Sequence, residues 1–154
     1  PKLMAIARGG MLMQLPYPPL KWALILLRVT TALLFMAHAT ARIAYGTIPQ
    51  FAKFMSSQGF PYPGYWVWAI TLAELVSGTA MIIGWRVRCA TVPLLAIAIG
   101  GIVLIHWRFG WFVGEHGTGG SEYSIALIVM LLVVAAGDTY DAALPTNEEY
   151  VPKA

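Results

Sequence analysis

Residues 20–44 have the sequence LKWALILLRVTTALLFMAHATARIA, a long apolar stretch with few charges. A helix needs about 20 mostly apolar residues to cross about 30 Å of hydrocarbon. Three further apolar stretches follow at about residues 64–85, 89–107 and 122–138. Backbone polar groups must be satisfied inside lipid, and the chain lacks the alternating pattern of a membrane barrel, so these stretches are predicted to be helices. The expected fold is an all-α integral membrane four-helix bundle.

The composition agrees with this fold class. Hydrophobic residues make up 58% of the chain and charged residues only 11%, which does not fit a soluble domain of this length. We expect a cytoplasmic or interfacial lead-in at residues 1–19, one transmembrane domain at 20–141 and a cytoplasmic tail at 142–154. The net charge of +3 is not gathered into a basic stripe, so nucleic acid is not an expected partner.

Lys and Arg residues in the loops predict the orientation of the bundle. On the side of the two termini lie Lys2, Arg8, Lys21, Arg86, Arg88 and Lys153. On the opposite side lie Arg42, Lys53 and Arg108. The excess on the first side predicts that both termini are cytoplasmic.

A short amphipathic segment separates the first two spans. Helical spacing places Phe51, Phe54 and Met55 on one face, with Lys53 elsewhere. This pattern predicts a short helix lying in the outer membrane interface, where membrane lipids are its partners.

Polar residues within the spans point to the interior of the bundle, since a charge at the bilayer centre costs a few kcal/mol. The polar stripe of the first span contains Arg28, Thr31, Phe35, His38 and Arg42. The stripe of the second span contains Thr71, Glu74, Gly78 and Met81. Small residues predict close helix contact at Gly78 and, in the third span, at Ala96 and Gly100.

The heights of these residues predict which of them meet. At about 1.5 Å rise per residue, His38 and Glu74 lie in the outer half of the bundle, and their side chains lean toward each other in an antiparallel pair. We therefore predict a His38–Glu74 pair. Arg28 leans toward the cytoplasm and is predicted either to extend its charge to the inner interface or to pair structurally with Asp138 or Asp141.

Glu122 stands where the last apolar run begins, after Ser121. A carboxylate in the first helical turn suits the positive end of the helix dipole, and Ser121 is a suitable N-cap. The same height argument brings Glu122 and His106 to the outer half, together with Arg42. We predict one outer polar cluster of His38, Arg42, Glu74, His106 and Glu122.

Several motifs occur in an order that resembles the DoxX family of small four-helix membrane proteins. These are LLRVTTALLFMAHATAR at 26–42, FAKFMSSQGFP at 51–61, LAELVSGTAMIIGWRVR at 72–88, IHWRFGWF at 105–112 and GGSEYSIALIVMLL at 119–132. One departure is Ala39–Thr40 after His38, where the family usually has Gly and later Lys, and Arg42 can replace that base. The resemblance implies the cytoplasmic (inner) membrane of a bacterium or archaeon.

Relatives in this family are associated with thiosulfate:quinone oxidoreduction, quinol oxidase operons and a mycobacterial membrane assembly that contains a superoxide dismutase and a sulfurtransferase. We therefore expect a quinone-linked subunit in which His38, Glu74, His106 and Glu122 handle protons, while Arg42 and Tyr123 help to bind a non-covalent quinone. The chain has no haem, flavin or iron–sulfur motif, and Cys89 is its only cysteine, so electrons are expected from a partner redox subunit.

Two alternatives remain at this point. The chain could be a non-catalytic accessory subunit of a larger bioenergetic complex, with its buried charges holding helices together. A metal site would need His38, His106, Glu115, His116 and Glu122 to converge, but no HxxxH or ExxH spacing places two ligands on one helix, so no metal site is predicted.

Overall fold

The computed structural model describes residues 17–113 and 119–143, and the side chains of 17–113 and 119–138. Its elements are α1 (Leu20–Ala44), α2 (Ile48–Ser57), α3 (Pro63–Ile83), α4 (Val87–Leu104), a single 3-10 turn (His106–Phe109) and α5 (Glu122–Ala143). Helices are the only regular secondary structure in these residues, which confirms the predicted all-α class.

The four long helices form a ring. Helix α1 packs against α3, α3 against α4, α4 against α5, and α5 closes the ring against α1, while α2 lies on α3. Helices α1, α3 and α4 are each long and apolar enough to cross a membrane. Three of the predicted spans are therefore supported by length and composition.

The helix bounds follow the first two predicted spans closely, whereas α4 ends three residues before the end of the third predicted span and α5 continues five residues beyond the fourth. Helix α4 begins at Val87 because a tight turn ends α3, with Gly84 at φ 75° and Arg86 at φ 44°. Glycine is the usual residue for such a left-handed helix end. At its other end α4 stops at Leu104 rather than at 107, because Ile105 leaves helical geometry (φ −119°, ψ −62°) and the chain tightens into the 3-10 turn.

The predicted short helix between the first two spans is α2. Its face toward the bundle carries buried Met55 and half-buried Phe51 and Phe54, whereas Lys53 is exposed. Its apolar side chains are therefore turned inward onto the bundle, in agreement with the amphipathic pattern.

Small residues act differently in α3 and α4. A Cβ atom at Gly78 would overlap the Met36 side chain, so this glycine does permit the close approach of α1 and α3 that was predicted. A Cβ at Gly100 would meet no atom within 4 Å, so the predicted close contact at Gly100 is wrong. There the missing side chain leaves open space inside the bundle instead.

Candidate functional site

A cavity of about 480 Å³ occupies the end of the bundle that α2 covers. It is bounded by the C-terminal half of α1, α2, the N-terminal half of α3, the C-terminal half of α4 and the start of α5. Its aromatic lining consists of Phe35, Phe51, Phe54, Phe60, Trp66 and Tyr123. His38, Arg42, Glu74 and His106 also line it. The volume and the mainly apolar wall with few polar groups are typical of a small-molecule site.

The polar centre of this wall is an ion pair between α1 and α3. Arg42 Nη1 lies 2.8 Å from Glu74 Oε2, and the two side chains are only 14% and 4% exposed. The same nitrogen donates to Thr71 Oγ1 at 2.7 Å, and the Thr71 hydroxyl donates to the Val67 carbonyl at 2.8 Å. Thr71 was placed on the correct stripe by sequence, but nothing in its spacing showed that it would support Arg42.

The predicted direct pair of His38 with Glu74 is therefore corrected to Arg42 with Glu74. Arg42 is one helical turn nearer the end of α1, and its long side chain leans back toward the N-terminus of that helix and reaches the carboxylate. His38 lines the same cavity but is exposed.

The ring of His38 is held by its own helix. Its Nδ1–H donates to the Leu34 carbonyl at 2.8 Å, because a carbonyl can only accept. Nε2 is consequently the acceptor nitrogen of the neutral ring and can take up a proton. The ring centroid lies 6.1 Å from that of Tyr123, which connects α1 to the start of α5 across the cavity.

Phe51 connects the short helix to the ion pair. The Arg42 guanidinium carbon lies 5.2 Å from the centroid of the Phe51 ring, a cation–π geometry. Sequence placed Phe51 on the apolar face of α2 but gave no sign that this face would cover a charge.

His106, a member of the predicted polar cluster, lines the cavity, and so does Tyr123. His106 Nδ1 is buried and has no hydrogen-bond partner among residues 17–113 and 119–138. It lies beside Gly119, where an added Cβ would be 3.5 Å away. A buried nitrogen that no described residue bonds is a position at which a ligand could bond.

Glu122 does not line the cavity, which corrects its predicted place in the polar cluster. Its Oε1 accepts a hydrogen bond from the Val113 backbone N–H at 2.9 Å, and its own N–H donates to the Trp111 carbonyl at 3.0 Å. Next to it, the Ser121 N–H donates to the Gly110 carbonyl at 3.1 Å. The carboxylate thus fastens the segment after α4 to the start of α5.

Arg28 and Asp138, one of its two predicted partners, are not bonded to each other. Asp138 Oδ2 accepts from the Arg88 backbone N–H at 3.3 Å, at the start of α4. The Arg28 guanidinium lies by the turn after α3, where a Cβ at Gly84 would be 3.4 Å from Nη1. Its Nε is buried and unbonded within the described side chains, which do not include that of Asp141.

No group of three or more His, Cys, Asp or Glu side chains close enough to hold a metal ion occurs in the described part of the chain. Glu115 and His116, two of the five ligands that such a site would need, lie outside the described residues.

The DoxX family model matches residues 23–107, from the start of α1 to the 3-10 turn. This is more than half of the chain, and it includes His38, Arg42, Glu74 and His106. The motif at the start of α5, with Glu122 and Tyr123, lies beyond the matched residues. Comparison with curated proteins and with solved structures found no match. The motifs, the helical fold and the family match together show that the chain belongs to the DoxX family.

Proposed function

We propose that this DoxX protein is a four-span subunit of a quinone-linked redox assembly in the inner membrane, with α5 as the fourth span and both termini in the cytoplasm. The observation that carries the proposal is the aromatic cavity with a buried Arg42–Glu74 pair and His38 in its wall. Such a cavity suits a flat, largely apolar ring that also accepts hydrogen bonds.

The polar groups of the wall fit a quinone head group. His106 Nδ1 has no hydrogen-bond partner in the described ranges, and the Arg42 guanidinium has further N–H groups that can donate to a carbonyl oxygen. The aromatic rings supply flat apolar surface for a conjugated ring. These wall residues support a quinone head group as the ligand, both by shape and by hydrogen bonding.

A bound quinone supplies two-electron redox chemistry in which two protons are taken up on reduction. His38 is the residue of the cavity best placed to transfer protons, since its Nδ1–H is fixed to Leu34 and no described residue bonds its Nε2. It also lines a second, more open groove with Tyr45, Thr47 and Gln50 at the end of α1. His38 therefore lies between the cavity and the outer surface. The electrons come from a partner subunit with a redox cofactor.

Exchanging His38 for asparagine tests the proton role. The amide NH2 of asparagine can still donate to the Leu34 carbonyl, but the side chain cannot take up a proton near neutral pH. We expect quinone turnover in native membranes carrying His38→Asn to fall by about 100-fold, the lower range for loss of a general acid–base group. Quinone binding to the purified protein should change little.

Thr40→Asn is the matched control, since Thr40 is exposed on the same helix and does not line the cavity. It should leave turnover unchanged. Equal turnover in His38→Asn and in wild-type membranes would remove His38 from the proton path.

An accessory role without chemistry is the second candidate, and a specific observation favours it. The charges of Arg42 and Glu74 compensate each other inside the chain, as expected of groups that hold α1 and α3 together. In that case the protein should purify in a fixed ratio with a cofactor-bearing complex. Deleting it should reduce the amount of assembled complex, while the turnover of each remaining complex is preserved.

A further inference from the structure

The cavity reaches the lateral surface of the bundle at α4. Ala96 and Gly100 lie one helical turn apart, and both line the cavity, yet Ala96 is exposed. Ala96 is eight residues before the end of α4 at Leu104, or about 12 Å along the helix. The opening is therefore well inside the length of a membrane span and not at its end.

Small side chains create this opening. Among the described residues, no atom outside the backbone of α4 lies within 4 Å of a Cβ built on Gly100, and Ala96 adds only a methyl group. Exposed apolar side chains flank the two positions on the same helix, namely Val92, Ile99 and Val103. In a membrane such a surface faces acyl chains, so an apolar chain could leave the cavity here without entering water.

The short connection of α3 to α4 lies away from this opening. The two helices are joined by the tight turn at Gly84 and Arg86, at the end of the bundle remote from the cavity. The cavity residues of α3, which are Trp66, Ile70 and Glu74, come from its N-terminal part and its middle. The cavity and its opening on α4 thus lie away from the loop that joins these two helices.

We propose that Ala96 and Gly100 form a lateral entrance, and that this entrance holds the first part of the hydrocarbon tail of the bound quinone. The inference rests on the proposed function, because it assigns the tail of the same ligand whose head group lies by His38 and Arg42. The head group then occupies the polar part of the cavity, and the tail passes between small residues into the acyl chains.

Equilibrium binding of two probes to the full chain in lipid nanodiscs tests this entrance. The probes are a tailless methyl-substituted benzoquinone and the same head group with a decyl tail. With free probe counted in the aqueous phase and binding to protein-free nanodiscs subtracted, wild-type protein should bind the tailed probe at least about tenfold more tightly, since transfer of a few methylenes out of water suffices for that ratio. Gly100→Leu, whose side chain fills the entrance, should abolish the preference for the tailed probe.

Ile99→Phe is the control, because it places a bulky apolar side chain at an exposed neighbouring position that does not line the cavity. It should keep the wild-type preference. The proposed entrance would be wrong if the preference survived in Gly100→Leu, or if wild-type protein bound the two probes equally well. Either result would leave the proposed quinone cavity in place. Failure of wild-type protein to bind either probe would overturn the proposed function and the entrance with it.

Discussion

Replacing Glu74 with alanine is expected to destabilise the protein by about 3–5 kcal/mol, the range for breaking a buried ion pair from one side. The Glu74 side chain is 4% exposed, and its Oε2 lies 2.8 Å from Arg42 Nη1. After the substitution, Arg42 keeps its charge, since arginine is not deprotonated in proteins. Thr71 is then the only described hydrogen-bond acceptor left for Nη1, and it is uncharged.

The reciprocal change should cost less. Arg42→Met leaves Glu74 without its cation, but a carboxylate can become neutral by taking up a proton. Arginine has no such option, because it does not lose its proton in a protein. The double variant Glu74→Ala/Arg42→Met should therefore be more stable than Glu74→Ala alone. Denaturant unfolding in mixed micelles measures all four proteins, and the double-mutant cycle gives the coupling between the two sites. A coupling near zero would show that the pair contributes nothing to the packing of α1 on α3.

Replacing Gly120 with alanine should destabilise the protein by about 3 kcal/mol, at the upper end of the usual cost of overpacking. Gly120 is buried, and a Cβ atom there would overlap the backbone carbonyl groups of Trp111 and Phe112. A side chain could rotate away from a new methyl group, but these are backbone atoms. They belong to the segment that Glu122 fastens through Val113, so relief of the overlap would disturb that contact as well.

Gly64→Ala provides the matched comparison. Gly64 lies in the first turn of α3, and a Cβ on it would meet no atom within 4 Å. Alanine is the better helix former by about 1 kcal/mol in a helix interior, so this variant should be as stable as wild type or slightly more so. Melting temperatures of the two variants in the same detergent give the measurement. Equal stability of Gly120→Ala and Gly64→Ala would mean that the segment before α5 moves freely enough to accept the methyl group.

The sequence predicted the helices well because apolar length and Gly or Pro boundaries are local properties. Helix α1 has the predicted bounds, and the turn at Gly84 follows from its own residues. The end of α4 was placed too late, since Ile105 and Trp107 are as apolar as the helix before them. Apolar length does not distinguish the last turn of an α-helix from a following 3-10 turn.

The sequence predicted the position of the candidate site along the bundle axis, but not the directions in which its side chains point. Axial rise correctly brought His38, Arg42, Glu74 and His106 to one level, where they line one cavity. To predict which residue pairs with Glu74, one must know how each helix is rotated about its axis and how far each side chain reaches. His38 is turned partly to the surface, and the longer Arg42 side chain covers the extra turn. Neither quantity is encoded in the spacing of polar residues.

Phe51 lies on α2, the helix that covers the cavity, and its ring contacts the charged side chain of Arg42. The position of α2 therefore affects the electrostatic environment of the ion pair. The aromatic ring on α2 shields a guanidinium that also binds Glu74 on α3. Any outward swing of α2 would admit water to this pair, and Coulomb attraction weakens as the local dielectric constant rises. Opening the cavity and loosening the α1–α3 contact are thus one event with a single free-energy cost.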